Sequence, residues 1–219
     1  MNRKHDGRGY AEDICIWQNG TDCGDCGLAK ILFCKPSSTY RLYFALPFFA
    51  ALIPAVIGIA TSGYSLAVSL GFFAGWFGYA FFFLNVWESR MLCNHCPWYA
   101  NDEELVLHCP IDVGKLKTGR FDPRPLTRGH KLQFLIGAGL LLIAPLPMLA
   151  AAGKWIYLGC TVGGEILWAA ITQTKVCTAC INFSCPLNRV DAALRNQFLD
   201  RNPVLREAWE KAGRMDGPA

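Results

Sequence analysis

Residues 66–87 read LAVSLGFFAGWFGYAFFFLNVW, and this run without a charged side chain decides the fold class. Three further stretches, 42–60, 132–152 and 155–174, are nearly as apolar. Each is about 20 residues long, the length that a helix rising ~1.5 Å per residue needs to cross ~30 Å of hydrocarbon. Only 17% of the chain is charged, against about 25% in a soluble domain. The sequence therefore predicts an all-α integral membrane protein with four transmembrane helices.

The four apolar stretches group into two tandem helical hairpins separated by polar chain. We expect a cysteine-rich head at 1–40, a hairpin at 41–88, a loop at 89–130, a second hairpin at 131–174 and a tail at 175–219. Each hairpin runs into Cys-x-x-Cys and then Cys-Pro, which indicates a duplication. The second helix of each also carries Gly-x-x-x-Gly, at Gly71/Gly75 and Gly159/Gly163, a spacing that lets helices approach closely in lipid. The tail predicts two short helices with a break at residues 202–203.

The basic residues set the orientation. Every Lys and Arg except Lys154 lies in the head, the central loop, the tail or at their borders with the helices. Basic loops stay on the cytoplasmic side of a membrane, and no charged-then-apolar signal sequence precedes the first span. We therefore predict a multi-pass protein of the cytoplasmic (inner) membrane with both termini in the cytoplasm. This asymmetry already accounts for the net charge of +4, so the charge calls for no nucleic-acid partner.

Cysteine is the residue type that points to chemistry. All of the 11 cysteines except Cys160 lie in the three segments that we place in the cytoplasm. They are Cys15, Cys23, Cys26, Cys34, Cys93, Cys96, Cys109, Cys177, Cys180 and Cys185. A reducing compartment disfavours structural disulfides, so clustered thiols there indicate metal or redox work. We expect all of these cytoplasmic cysteines to be metal ligands.

In the head, Cys23 and Cys26 are flanked at equal spacing by Cys15 and Cys34. Four thiolates suffice for one tetrahedral ion or one cubane iron–sulfur cluster. The turn at residues 23–27, CGDCG, resembles the metal-binding knuckle of rubredoxins and zinc ribbons, in which glycine permits the tight turn. The resemblance is confined to this turn, so it implies thiolate ligation of a metal and no wider fold.

The two loops that follow the hairpins carry three cysteines each: Cys93, Cys96 and Cys109 in the first, Cys177, Cys180 and Cys185 in the second. Two arrangements fit. The loops bind two clusters, each completed by a non-cysteine ligand or left with one open iron, or they share one four-thiolate site and leave two thiols spare. His95 and His108 are candidate additional ligands. Cys-Pro also occurs in bacterial ferredoxin motifs, but the spacing differs here, so no ferredoxin fold is predicted.

Three kinds of metal chemistry fit these thiols. We favour iron–sulfur clusters, two or three of the 4Fe-4S type, because electron carriage at a membrane suits exchange with quinone. Zinc would serve only to stabilise the loops of a structural adaptor. A thiol-based carrier would pass a soft metal toward Cys160. No histidine lies inside a span, which argues against transmembrane b-type haem.

Glu165 is the only formally charged residue in the interior of a span. Carboxyl groups in hydrocarbon are costly and are often functional, so we predict either a proton relay at a quinone site or a protonated side chain bonding across the bundle. The chain has no dinucleotide, phosphate-loop or serine-hydrolase motif. The sequence thus favours a subunit of an oxidoreductase complex over a stand-alone enzyme. It would relay electrons between a soluble cytoplasmic redox partner and the quinone pool.

Overall fold

The computed structural model describes residues 14–15, 25–100, 105–109 and 113–213. It contains four helices long and apolar enough to cross a membrane: Ser38–Ala60, Leu66–His95, Arg128–Ala151 and Trp155–Val176. The side chains that these helices turn outward include large apolar ones such as Leu46, Phe81 and Ile156, each more than half exposed. Exposed apolar surface on this scale matches contact with lipid. The prediction of four helices fit to span a membrane is therefore confirmed.

Three of the four spans are divided into more than one helical element. The first span is a single helix, α1 (Ser38–Ala60), although it contains Pro47 and Pro54. The third is divided into α4 (Arg128–Ile143) and α5 (Pro145–Ala151), because Pro145 cannot donate the backbone bond that would continue the helix. The second span extends further toward the loop than the sequence suggested, as far as His95.

The second helix of each predicted hairpin ends in the same way. The helix α2 (Leu66–Phe82) passes into a π-helical turn (Phe83–Trp87) and then the short helix α3 (Glu88–Met91). The helix α6 (Trp155–Ile171) passes into a π-helical turn (Thr172–Val176) directly before the second Cys-x-x-Cys. Single π-turns inside α-helices are rare and are often found at functional sites. The two cysteine loops thus leave the spans through equivalent geometry.

Outside the spans the chain is folded into short elements. Turns of 3-10 helix lie at Leu28–Lys30, Cys93–His95 and Pro97–Tyr99. The strands β1 (Val106–His108) and β2 (Val113–Leu116) pair antiparallel with Leu107 opposite Lys115, a hairpin that the all-α prediction missed. The tail forms α7 (Ala192–Asp200) and α8 (Pro203–Lys211). The predicted break between two tail helices is confirmed.

The closest helix approaches occur at glycines outside the Gly-x-x-x-Gly motifs. The largest interface joins α1 and α6, where a Cβ on Gly164 would lie 2.6 Å from Ala51 Cα. Gly137 of α4 accommodates the ring of Phe83, which a Cβ there would meet at 2.4 Å. By contrast, a Cβ on Gly71, Gly75, Gly159 or Gly163 would meet nothing within 4 Å. The motif glycines therefore make no close helix contact among the described residues, and their recurrence is evidence for a repeat in the sequence only.

The buried side chains form two large cores. One lies among the spans and includes Ile59, Trp76 and Leu149. The other combines the head, the central loop and the tail, with Leu32, Tyr99 and Phe198 among its buried members. Three polar segments that are far apart in the sequence thus fold into one body at one end of the helices. Most of the cysteines lie in this body or at its border with the spans.

Candidate metal centre

Phe33 joins the head to both cysteine loops. Its N–H donates to Ala179 O over 2.8 Å, inside the second Cys-x-x-Cys, and its own carbonyl accepts from Trp98 Nε1 over 3.0 Å. Because Phe33 precedes Cys34, these bonds place a head cysteine between the two loops. Cys34 itself is 4% exposed.

Two buried asparagines fix the second loop, Asn182 against the first loop and Asn188 within the second. Asn182 Nδ2 donates to Leu92 O over 3.1 Å, directly before Cys93. Asn188 Nδ2 donates to Cys180 O over 2.7 Å and to Asn182 O over 3.0 Å. Amides buried in this way lose free energy unless they are bonded, so these bonds specify how the loops dock. Neither residue could be recognised from the sequence except by its position near a cysteine.

Backbone N–H groups point at several of the sulfurs. In each case the donors include the residue two positions after the cysteine, and the sulfurs are those of Cys26, Cys96, Cys180 and Cys185. For Cys185 the distance from Leu187 N to Sγ is 3.4 Å. Hydrogen bonds of this type favour a negatively charged sulfur. The turns therefore suit thiolates, the form of cysteine that binds metal.

Burial opposes a negative charge on these sulfurs as long as no cation is bound to them. Burial raises the pKa of Cys177 to about 11 and that of Cys180 to about 12. Burial also raises the pKa of Cys185 and Cys96 well above the usual range of a thiol. The metal-free thiols consequently hold their protons at neutral pH, and a cation that binds the sulfurs displaces those protons.

The cysteines of the two loops face each other. After burial, the groups that raise the pKa of Cys96 are Cys109, Cys180 and Cys93, so members of both loops lie within electrostatic range of one sulfur. The pKa of Cys185 is raised in the same way by Cys180 and Cys177. Cys180 belongs to both groups and is their link. Cys96 of the first loop and Cys180 of the second are therefore within electrostatic range of each other.

Charged residues flank the loop cysteines. Lys115 on β2 has a side chain only 2% exposed, and its Nζ lies 2.7 Å from Glu88 Oε2 and 3.8 Å from Cys93 Sγ. The ion pair brings the end of the second span, the strand hairpin and the first Cys-x-x-Cys together. Lys115 was not singled out from the sequence, because nothing there shows that a loop lysine becomes buried.

Two of the head cysteines, Cys15 and Cys26, lie at the junction of the tail helices. Arg201 Nη1 donates to Cys26 Sγ over 2.9 Å, and Cys15 N donates to Asn202 Oδ1 over 2.5 Å. Burial acts to raise the pKa of Cys26, but bonds from Ala29 and Leu28 N–H and the charge of Arg201 outweigh it, and the pKa is lowered. Cys23 lies outside the described residues.

Four further candidates remain. His95 is 8% exposed, and its Nδ1 is 2.7 Å from Arg124 O. The side chain of His108 lies outside the described part. Cys160 is exposed on α6, roughly 25 Å from Cys177 at ~1.5 Å per helical residue. Glu165 lines a cavity among the spans.

The thiols are gathered but are not arranged around a single ion. Within residues 14–15, 25–100, 105–109 and 113–213, no three His, Cys, Asp or Glu side chains form a group that could hold one metal ion. The observations that bear on ligation are the knuckle-like turns and the mutual approach of the cysteines.

No known family, curated protein or solved structure matches this chain. Its function is therefore argued from its own residues.

Proposed function

We propose that this protein is a membrane-bound iron–sulfur subunit that relays electrons between a cytoplasmic redox partner and the quinone pool. The observation that carries the proposal is that Cys93, Cys109 and Cys180 lie within electrostatic range of the buried Cys96. These residues would supply four thiolates from two loops, at the ends of helices fit to span a membrane. Four thiolates are the usual ligand set of a cubane cluster.

The donors fit such a cluster in their chemistry. Backbone N–H groups reach the sulfurs of Cys96 and Cys180, and Lys115 Nζ lies 3.8 Å from Cys93 Sγ. Such groups offset the negative charge of thiolate centres, and hydrogen bonds and burial tune their potentials. When bound, the cluster would supply one-electron oxidation and reduction. The chain's own residues hold it, shield it from water and set its charge environment.

A second centre is proposed for the head, with Cys15, Cys23, Cys26 and Cys34 as ligands. Support comes from Arg201 and Asn202, which hold Cys26 and Cys15 at one helix junction. Two centres in one folded body would let an electron enter from a docked soluble protein and pass on toward the membrane. The second loop retains Cys177 and Cys185 as spare thiols on this assignment.

Orientation follows from charge. We place the folded body in the cytoplasm because Lys154 is the only Lys or Arg at the opposite ends of the spans, and positive charge is retained on the inner side. On this view the chain forms two hairpin repeats of an inner-membrane protein, with head, loop and tail combined as the docking body of an oxidoreductase complex.

The test compares two neighbouring cysteines in protein purified without oxygen. Cys180→Ser should lose the iron and acid-labile sulfide of one centre, whereas Cys177→Ser should retain them. Iron and sulfide analysis together with EPR of the reduced protein measures this. Equal losses in both variants would overturn the ligand assignment.

Metal content also separates the rival functions. Stoichiometric zinc without iron would replace the relay with a zinc-stabilised structural adaptor. Reversible binding of copper or mercury, sensitive to Cys160→Ser, would replace it with soft-metal handling. For the relay itself, the reduced visible spectrum should return to the oxidised one when a quinone is added under anaerobic conditions.

A further inference from the structure

The strongest unassigned feature is a cavity of about 170 Å³ enclosed by all four spans. Its wall is made of aliphatic and aromatic side chains, among them Phe48, Trp76 and Leu141, and only two lining residues are polar, Thr161 and Glu165. An apolar pocket with a few placed polar groups is the usual form of a small-molecule site.

The packing of the bundle fixes this cavity. Gly164 lies directly against the backbone of Ala51, which locks α6 to α1 at the cavity wall and holds the adjacent Glu165 there. On the other side, Trp76 Nε1 donates to Leu141 O over 3.0 Å, which joins the second and third spans. The space is therefore built into the helix contacts.

The two polar residues line the same cavity. Thr161 and Glu165 are one helical turn apart, so their side chains project from the same face of α6. Thr161 is 1% exposed, and its hydroxyl makes no hydrogen bond within the described chain. A buried hydroxyl without a partner is unusual, because native proteins satisfy nearly all such groups. Thr161 and Glu165 thus line the same part of a cavity whose wall is otherwise apolar.

The cavity also has an edge at the lipid face. Phe77 and Leu84 line it and are 45% and 40% exposed on the second span. A ligand dissolved in the bilayer can reach the cavity past these side chains without crossing water. An acyl chain would satisfy the apolar wall but would leave the hydroxyl unpaired, whereas an apolar ring that bears carbonyl or hydroxyl oxygens satisfies both.

We infer that this cavity binds the ring of a membrane quinone or quinol, with Thr161 and Glu165 hydrogen-bonded to its oxygens. The inference deepens the proposed relay by naming where its membrane partner binds, but the binding itself needs no electron transfer. The site lies ~18 Å along α6 and its continuation from Cys177, at ~1.5 Å per residue. Trp168 lies between them, with its ring 6.2 Å from that of Phe48.

The test is equilibrium binding of decylubiquinone and of a short-chain naphthoquinone to the full chain in lipid nanodiscs, followed by tryptophan quenching. Empty nanodiscs with a soluble tryptophan analogue measure partitioning alone. Thr161→Val removes the hydroxyl at constant shape and should weaken binding about fivefold, the worth of a typical net hydrogen bond. Thr172→Val is the matched control, because Thr172 is also a buried threonine of this span without a partner in the described chain, yet it does not line the cavity.

A second variant tests whether the quinone occupies the cavity. Ala55 is 1% exposed and lines the cavity, so Ala55→Leu should abolish saturable binding. Saturable binding that weakens with Thr161→Val and not with Thr172→Val supports the site. Non-saturable partitioning, or equal affinities of the two threonine variants, would overturn it. Lost quinone binding with an intact iron content refutes only the site, whereas intact binding in an iron-free protein refutes only the relay.

Discussion

Substituting two adjacent glycines of α6 by alanine tests the helix packing that positions the cavity. A Cβ on Gly164 would lie 2.6 Å from Ala51 Cα and 2.7 Å from Ala51 N. These are backbone atoms and cannot rotate away, so the α1–α6 interface must separate by on the order of 1 Å to reach a normal contact of ~3.5 Å. Overpacking of this kind costs about 1–3 kcal/mol.

Gly163 is the control in the same helix. A Cβ there would meet nothing within 4 Å, so Gly163→Ala gains up to ~1 kcal/mol of helix propensity without a clash. Gly164→Ala has the same propensity gain, but the clash offsets it. Because the propensity gain is common to both, we expect the two variants to differ by the cost of the clash, about 1–3 kcal/mol in the free energy of unfolding. The difference is measured by titrating the detergent-solubilised protein with SDS and following helix content and tryptophan fluorescence.

Equal stabilities, or a larger loss for Gly163→Ala, would refute this packing. The second result would also show that the Gly159/Gly163 face is covered, which the described residues do not show. Iron content and quinone binding of the folded Gly164→Ala variant extend the test to function. Separation of α1 from α6 should weaken quinone binding while leaving the cysteine centre occupied, because the two sites lie at different depths.

Two further predictions concern the cysteine centre. Lys115→Met removes the buried partner of Glu88 and should lower the free energy of unfolding by ~3 kcal/mol. The double variant that also carries Glu88→Gln should recover a large part of this loss in denaturation experiments. Additive losses from the two substitutions would contradict a coupled pair. Burial raises the pKa values of Cys177 and Cys180 from 9.0 to about 11 and about 12. As the pH rises, these thiols therefore ionise in the unfolded chain before they ionise in the folded protein. The metal-free protein should consequently lose stability as the pH rises from about 9 toward 12. The metal-loaded protein should lack the part of this loss that Cys180 contributes, because a ligating thiol has already given up its proton. Identical pH profiles of stability for both forms would contradict metal ligation by Cys180.

The cysteine-rich segments show which features of the candidate site could be predicted from the sequence. Their composition and Cys-x-x-Cys spacing predicted thiolate chemistry, because a tight turn of this kind aims nearby sulfurs together. The identity of the supporting groups was not predictable. Lys115, Asn182 and Arg201 reach the cysteines from residues far along the chain, and a contact between distant segments leaves no local pattern.

The sequence by itself determined the four spans and the polar segments between them, because transfer of a helix into hydrocarbon depends on the summed hydrophobicity of about 20 consecutive residues. Tertiary structure decided which elements meet. It placed Gly164 rather than Gly163 against α1, brought Cys180 toward Cys96, and left Thr161 facing a cavity with Glu165. Those outcomes depend on helix rotation and on the fit of side chains from distant parts of the chain, and these are properties of the packed molecule.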